Sequence, residues 1–225
     1  MIPSLNGQAP LPHRLWPRWT VNCGTGELLG IAAAAVIVTG YRYLLGESSS
    51  TEDQLLHLFF MALAGVAEGS VLAYFQYRMI EKVFPQVAWK QWLAYTVAAA
   101  LVGWIVGILP SQFLTGGLET DAFQSPEPLV YYSLAALMGL LLGAFFGYFQ
   151  WLPIKDMRKN ALLWVPANAL GWAVGMVFIF MGASLPGEST SWPLVLLYGT
   201  IGGALGGLSV GAVTGWFLLK IAASE

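Results

Sequence analysis

Six apolar stretches of about twenty residues limit what this chain can fold into, because that is the length a helix needs to cross the core of a bilayer. Charged residues make up 10% of the sequence, well under half of their usual share in a soluble domain. We therefore predict an all-α integral membrane protein with six transmembrane helices. The predicted spans are residues 20–44, 55–79, 92–110, 129–151, 162–183 and 195–219.

The first residues of the chain differ in composition from the rest of it. Residues 1–18 are rich in proline and lack the apolar core of a cleaved signal peptide. We predict a cytoplasmic tail over residues 1–18 and a single transmembrane domain over residues 19–225. The one cysteine, Cys23, excludes an internal disulfide and a cysteine-based metal cage.

Basic residues predict how the chain is oriented in the membrane. In a six-span arrangement only Arg42 falls on one side, and the other nine lysines and arginines fall on the opposite side. Cytoplasmic loops carry the excess of Lys and Arg in membrane proteins. We therefore expect both termini in the cytoplasm, with the protein in a bacterial-type inner membrane or a thylakoid-like membrane. The nine residues are Arg14, Arg18, Arg78, Lys82, Lys90, Lys155, Arg158, Lys159 and Lys220.

Two sequence patterns recur along the spans. The even spans carry "GSVLAYFQYR" from Gly69, "GAFFGYFQWL" from Gly143 and "GAVTGWFLLK" from Gly211. Each odd span carries a tryptophan eleven residues before a glycine, at the depth where interfacial indoles usually lie. The sequence therefore predicts interfacial positions for Trp19, Trp92 and Trp164.

These patterns divide the chain into three two-helix units. Spans two and three form one unit, and spans four and five form another. Spans six and one form a third unit that is split between the two ends of the chain. Because the units share one orientation, they would be parallel repeats related by an axis along the membrane normal. We expect a six-helix ring or bundle with approximate threefold symmetry, the alternative being that glycine-rich helices match by chance.

Small residues recur every four positions along the even spans. This spacing lets helix backbones approach closely in lipid. It predicts tight packing, either between the spans of this chain or with a helix of another subunit. The glycines concerned are Gly65, Gly69, Gly139, Gly143, Gly147, Gly207, Gly211 and Gly215.

The segments "GAFFGYFQW" and "WVPANALGWAVG" stand at the end of span four and the start of span five. They resemble a group of poorly characterised bacterial multi-span membrane proteins with repeated GxxxGxxQW and WxxxNAxGW signatures. The resemblance covers chiefly residues 139–175 and more loosely residues 65–107. It implies the multi-span fold, and it transfers neither an activity nor a site residue.

Glu68 and Glu27 are carboxylates inside predicted spans. Glu68 aligns with Leu142 and Val210 of the repeat, so it departs from an apolar pattern. At 1.5 Å per residue, counted from the cytoplasmic end of each span, Glu68 lies roughly 15 Å deep and Glu27 roughly 12 Å deep. Two carboxylates at nearly the same depth on neighbouring helices would need a shared proton, a metal ion or a basic partner between them.

Polar side chains within the spans allow several interpretations. An ionisable group there costs at least about 2 to 3 kcal/mol by insertion scales. Glu68 and Glu27 would form a proton or cation site in a transport path, act as neutral hydrogen-bonded structural acids, or contact another subunit or a cofactor. For Gln76, Gln150 and Asn168 the alternatives are interhelical hydrogen bonding and the lining of a polar vestibule.

Motifs that carry catalytic chemistry are absent from the sequence. It has no HExxH motif, no cysteine pair and no phosphate-binding loop. It also lacks the basic patch of a nucleic-acid-binding protein. We therefore expect no catalytic residue, no metal site and no nucleic-acid partner, and an enzyme is the least favoured class.

Two functions remain. The first is a structural or assembly subunit of a larger membrane complex, which would contact membrane lipids and other subunits and would bind lipid or pigment through its glycine faces and aromatic side chains. The alternative is a small proton- or cation-coupled transporter or channel that uses Glu68. No motif implies a cofactor. The number of small-residue faces favours the subunit, which is the function that we predict from sequence.

Overall fold

The computed structural model describes residues 12–45, 51–113, 127–187 and 189–224. Within these ranges the chain is almost entirely helical and contains no strand, so the all-α prediction is confirmed. A short 3-10 turn, Ala161–Leu163, leads into the fifth helix. The helices are α1 Pro12–Leu45, α2 Thr51–Val83, α3 Trp89–Phe113, α4 Pro128–Trp151, α5 Trp164–Ser184 and α6 Trp192–Ala222.

Length and apolar character make five of these helices able to cross a membrane. They are α1, α2, α4, α5 and α6. The part of α3 whose side chains are described, residues 89–106, contains Lys90 and Gln91 in its first turn, and α3 is not among the five. Several apolar helices of this length are what an integral membrane protein requires.

The helices form a closed ring in chain order. Each helix packs against the next, and α6 packs against α1. The contact between α3 and α4 is the smallest of the six. One buried cluster joins the starts of α1, α3 and α5 to the ends of α2, α4 and α6, so neighbouring helices are antiparallel. This end of the ring, named the basic end, carries all nine basic residues of the predicted cytoplasmic side, and each of them is exposed.

Helix α1 begins eight residues before the predicted start of the first span. Proline is tolerated at the first helical position, which Pro12 occupies, because its missing N–H would lack a helical partner there anyway. Leu15 is buried in the cluster at the basic end, and Trp16 Nε1 donates to the carbonyl oxygen of Ala212 on α6 at 2.8 Å. Residues 12–18, which we assigned to the tail, therefore extend the first helix, and residues 1–11 lie outside the described residues.

The glycines that recur every four positions along α2, α4 and α6 face neighbouring helices of the same chain. A Cβ atom at Gly143 would collide with the carbonyl oxygen of Asn168 on α5. At Gly211 it would lie 2.8 Å from the Cβ of Cys23 on α1. All eight predicted packing glycines thus lie at helix contacts within this chain; the other six, with α3, α5 or α1 as neighbour, are Gly65, Gly69, Gly139, Gly147, Gly207 and Gly215.

Candidate functional site

Three tryptophans from alternate helices meet inside the ring at its basic end. Trp19, Trp92 and Trp164 are each 0% exposed. The ring centroids of Trp19 and Trp164 are 5.6 Å apart and those of Trp92 and Trp164 are 6.3 Å apart, in edge-to-face geometry. The prediction that these indoles lie at the lipid interface is wrong, because protein encloses all three. We name this group the tryptophan plug.

A layer of buried polar side chains lies beside the tryptophan plug. Gln150 Nε2 donates to Gln76 Oε1 at 2.8 Å and to Thr96 Oγ1 at 3.1 Å. Gln150 Oε1 accepts from Trp164 Nε1 at 3.2 Å. Gln76 and Gln150 therefore hydrogen-bond between helices, and this network holds α2, α3, α4 and α5 together at one level.

Asn168 and Thr96 take part in this layer in different ways. Asn168 Nδ2 donates to the carbonyl oxygen of Trp164 on its own helix at 2.9 Å, so that bond is not interhelical. Sequence reasoning missed Thr96, although it follows Trp92 by four residues just as Asn168 follows Trp164. That spacing was the available signal, because residues four apart lie on one face of a helix.

The other two indole N–H groups of the tryptophan plug differ from each other. Trp19 Nε1 donates to Thr214 Oγ1 on α6 at 2.9 Å. Trp92 Nε1 is buried and has no hydrogen-bond partner among the described residues. An unsatisfied buried donor costs about 1–3 kcal/mol. Packing of its indole against neighbouring side chains, rather than complete hydrogen bonding, therefore holds Trp92 in place.

Beyond the polar layer, the ring contains a central cavity of about 380 Å³. Glu27 and Glu68 line it, and they are the only ionisable side chains among its described lining residues. Trp104, Phe146 and Trp172 supply aromatic surface, and the remaining lining residues are aliphatic, methionine or glycine. Glu27 follows Trp19 by eight residues, which places it roughly 12 Å along α1 from the plug.

Glu68 reaches the central cavity from α2 and is held by two neighbouring helices. Its Oε2 accepts a hydrogen bond from Trp104 Nε1 of α3 at 2.5 Å. A Cβ at Gly30 of α1 would lie 3.0 Å from Glu68 Cγ, so the side chain passes closely over this glycine. Glu68 therefore has one defined donor and little freedom to turn away.

Glu27 is the more isolated of the two acids. Its side chain is 2% exposed, and a Cβ at Gly207 of α6 would collide with the Cβ of Glu27. Within the described part of the chain the Glu27 carboxyl group makes no hydrogen bond, although it lines the cavity. A buried carboxyl group without a partner is costly. The Glu27 carboxyl group in the central cavity is therefore available to bind a ligand.

Comparisons with known protein families, curated proteins and solved structures return no match. The chemistry of the central cavity is therefore the guide to what it binds. Two carboxyl groups in apolar surroundings attract positive charge and disfavour anions. No third His, Cys, Asp or Glu of the described ranges joins them in a metal-binding group.

Proposed function

We propose that this protein binds a small cation in its central cavity and exchanges the cation for protons across the membrane. The supporting observation is that Glu27 and Glu68, on neighbouring helices, line one cavity, where the Glu27 carboxyl group makes no hydrogen bond to any described residue. Two carboxylates that line one cavity in apolar surroundings cannot both stay ionised cheaply. Either a proton or a cation relieves the repulsion, and competition between them couples their movement.

The assembly-subunit function loses the feature that favoured it. That prediction depended on more small-residue faces than one bundle needs, but all eight packing glycines contact neighbouring helices of the same chain. Those glycines are therefore not free to receive a helix of another subunit. A non-enzymatic cation transporter, the alternative from sequence, is the function that the geometry supports better.

The proposal includes a ring built from three parallel two-helix units around the cavity. Residues at the same position in each of the three two-helix units lie at corresponding places in the ring of helices, which supports this arrangement. Trp164 contacts both Trp19 and Trp92, and the residues eight and twelve positions after the three tryptophans line the central cavity. These six residues are Glu27, Ala100 and Trp172, then Ile31, Trp104 and Met176.

The proposal also requires that α3 cross the membrane and that the basic end face the cytoplasm. Single cysteines at Gln86 and Glu127, introduced into a Cys23→Ala background, test whether the chain crosses the membrane between them, because α3 lies between these two residues and both are exposed. We expect an impermeant maleimide to label Gln86→Cys only from the cytoplasmic side and Glu127→Cys only from the other side. Lys159→Cys, also exposed at the basic end, is the control that should match Gln86→Cys. Labelling of Gln86→Cys and Glu127→Cys from the same side would contradict a crossing by α3.

Flux in proteoliposomes tests the role of the two acids. A proton gradient should drive cation uptake by the wild type, and Glu27→Gln or Glu68→Gln should lower that flux at least about tenfold. The reason is that the buried cation then lacks one of its two carboxylate partners. Losing one partner of a buried pair of opposite charges costs about 2 kcal/mol or more. Glu81→Gln is the matched control, because Glu81 is exposed at the end of α2. Wild-type flux in both cavity variants would refute the proposed function.

A further inference from the structure

The wall of the central cavity carries aromatic surface in addition to the two acids. The ring centroids of Phe146 and Trp172 are 5.4 Å apart with an interplanar angle of 36°. Trp104, which donates to Glu68, also lines the cavity. Ammonium ions are attracted both to carboxylates and to aromatic faces. Mg²⁺ and Ca²⁺ instead take about six or more oxygen ligands, and the described residues of this lining offer two carboxylates. The surroundings therefore favour an organic cation over a divalent metal ion.

An apolar groove adjoins the central cavity between α3 and α4, where the ring contact is smallest. The groove has a volume of about 450 Å³, and no charged or polar side chain lines it among the described residues. Val106 and Leu141 line the groove and are 56% and 65% exposed, so it opens on the outer surface of the ring. Gly103, Leu142 and Met176 line both spaces, so the groove leads to the cavity that holds the acids.

Leu142 lines both the groove and the cavity. A Cβ at Gly103 would lie 2.9 Å from Leu142 Cδ1, so the side chain of Leu142 packs directly on this glycine of α3. Leaving aside the backbone of α3 itself and the chain neighbours of Gly103, the three nearest atoms of the described residues all belong to Leu142. The end of this flexible side chain thus lies where the two spaces adjoin, and a change of its rotamer would alter their connection there.

We propose that the cation is an amphiphilic organic ammonium ion that enters sideways from the lipid. Its ammonium head lies between Glu27 and Glu68, and its single apolar tail lies in the groove between α3 and α4. The inference rests on the proposed function, because it takes the two acids as the cation site. It adds the ligand class and the entry route, both of which follow from the aromatic wall and the adjoining apolar groove. The two spaces have volumes typical of small-molecule sites.

Binding of radiolabelled decyltrimethylammonium, compared with tetramethylammonium, tests this inference. The purified protein is placed in nanodiscs of phosphatidylglycerol, which carries no amine, and the signal of the Glu27→Gln/Glu68→Gln double variant is subtracted as bilayer background. We expect decyltrimethylammonium to bind at least tenfold more tightly, because the groove holds its tail. Equal affinities for the two probes, or no specific binding of decyltrimethylammonium, would overturn the inference.

Groove variants separate the tail site from the head site. Val106→Trp should weaken decyltrimethylammonium at least fivefold and leave tetramethylammonium unchanged, because it fills only the groove. Val174→Trp is the matched control, since Val174 is 45% exposed on α5 and lines neither space. If Val106→Trp does not fold, Leu141→Trp fills the same groove from α4. A decyltrimethylammonium affinity that is the same in wild type and in a folded groove variant would overturn the tail site.

Two further outcomes distinguish this inference from the proposed function and from a lipid ligand. If the acid variants lose proton-driven cation flux while the two probes bind equally, the proposed function stands and the amphiphilic ligand is wrong. If the single acid variants bind both probes as tightly as wild type, the cation site itself is wrong. Displacement of decyltrimethylammonium by phosphatidylethanolamine added to the nanodiscs would assign the groove to a membrane lipid and overturn the free amphiphile.

Discussion

Replacing Gly143 with leucine is expected to prevent α4 and α5 from packing, and hence to prevent the ring from forming. A Cβ at this position would collide with the carbonyl oxygen of Asn168 and lie 2.7 Å from the Cβ of Trp172. The obstacle is largely backbone, so no change of side-chain rotamer removes it. Packing contacts drive helix association in lipid. Helices that cannot approach closely lose these contacts, and no other interaction offsets the loss. The destabilisation should therefore exceed the roughly 1–3 kcal/mol of an ordinary overpacked core.

Size-exclusion chromatography and thermal unfolding in mild detergent measure this effect. Gly143→Leu should give little or no monodisperse protein. The matched control is Gly199→Leu on α6, because a Cβ at Gly199 meets nothing within 4 Å. That variant should keep its Tm within roughly 2 °C of wild type, as an unhindered surface change does. Similar profiles for the two leucine variants would show that the close contact between α4 and α5 is not needed.

Replacing Trp164 with alanine should cause the second large loss of stability. Trp164 contacts both Trp19 and Trp92 in the tryptophan plug, and its indole N–H donates to Gln150. Truncation of a buried tryptophan to alanine costs about 3–5 kcal/mol. For a chain of this length the expected fall in Tm is therefore roughly 6–20 °C.

A matched tryptophan variant separates burial from residue type. Trp192 begins α6 and is 73% exposed, so Trp192→Ala should change Tm by only about 1–2 °C. Thermal unfolding of wild type and both variants, in one detergent and at one protein concentration, provides the comparison. Equal Tm changes in the two variants would mean that the tryptophan plug adds nothing to stability.

Sequence alone predicted the helices because their apolar runs are long and uninterrupted. It also placed Glu27 and Glu68 near one depth, since depth depends only on residue count along a helix. It could not tell which way a side chain points. Trp19, Trp92 and Trp164 therefore had the expected spacing but were assigned to the lipid interface, whereas all three are buried inside the ring.

Features that depend on distances between helices were beyond the reach of the sequence. The groove between α3 and α4 exists because those helices make the smallest contact in the ring, and no local pattern encodes that separation. The start of α1 was placed too late for a similar reason. Leu15 is buried at the basic end, and Trp16 hydrogen-bonds to α6. These contacts join residues far apart in the chain, so a local sequence pattern does not predict them.

Closure of the ring by α1 and α6 has a consequence for biogenesis. Among the six described helices, α1 leaves the ribosome before the others and α6 leaves it after them, so five helices are made before the partner that completes the first one. Gly207, which gives the Glu27 side chain its room, belongs to that final helix. Until α6 is made, the Glu27 side chain lacks this cover. This acid is therefore enclosed on that side only after α6 has been synthesised.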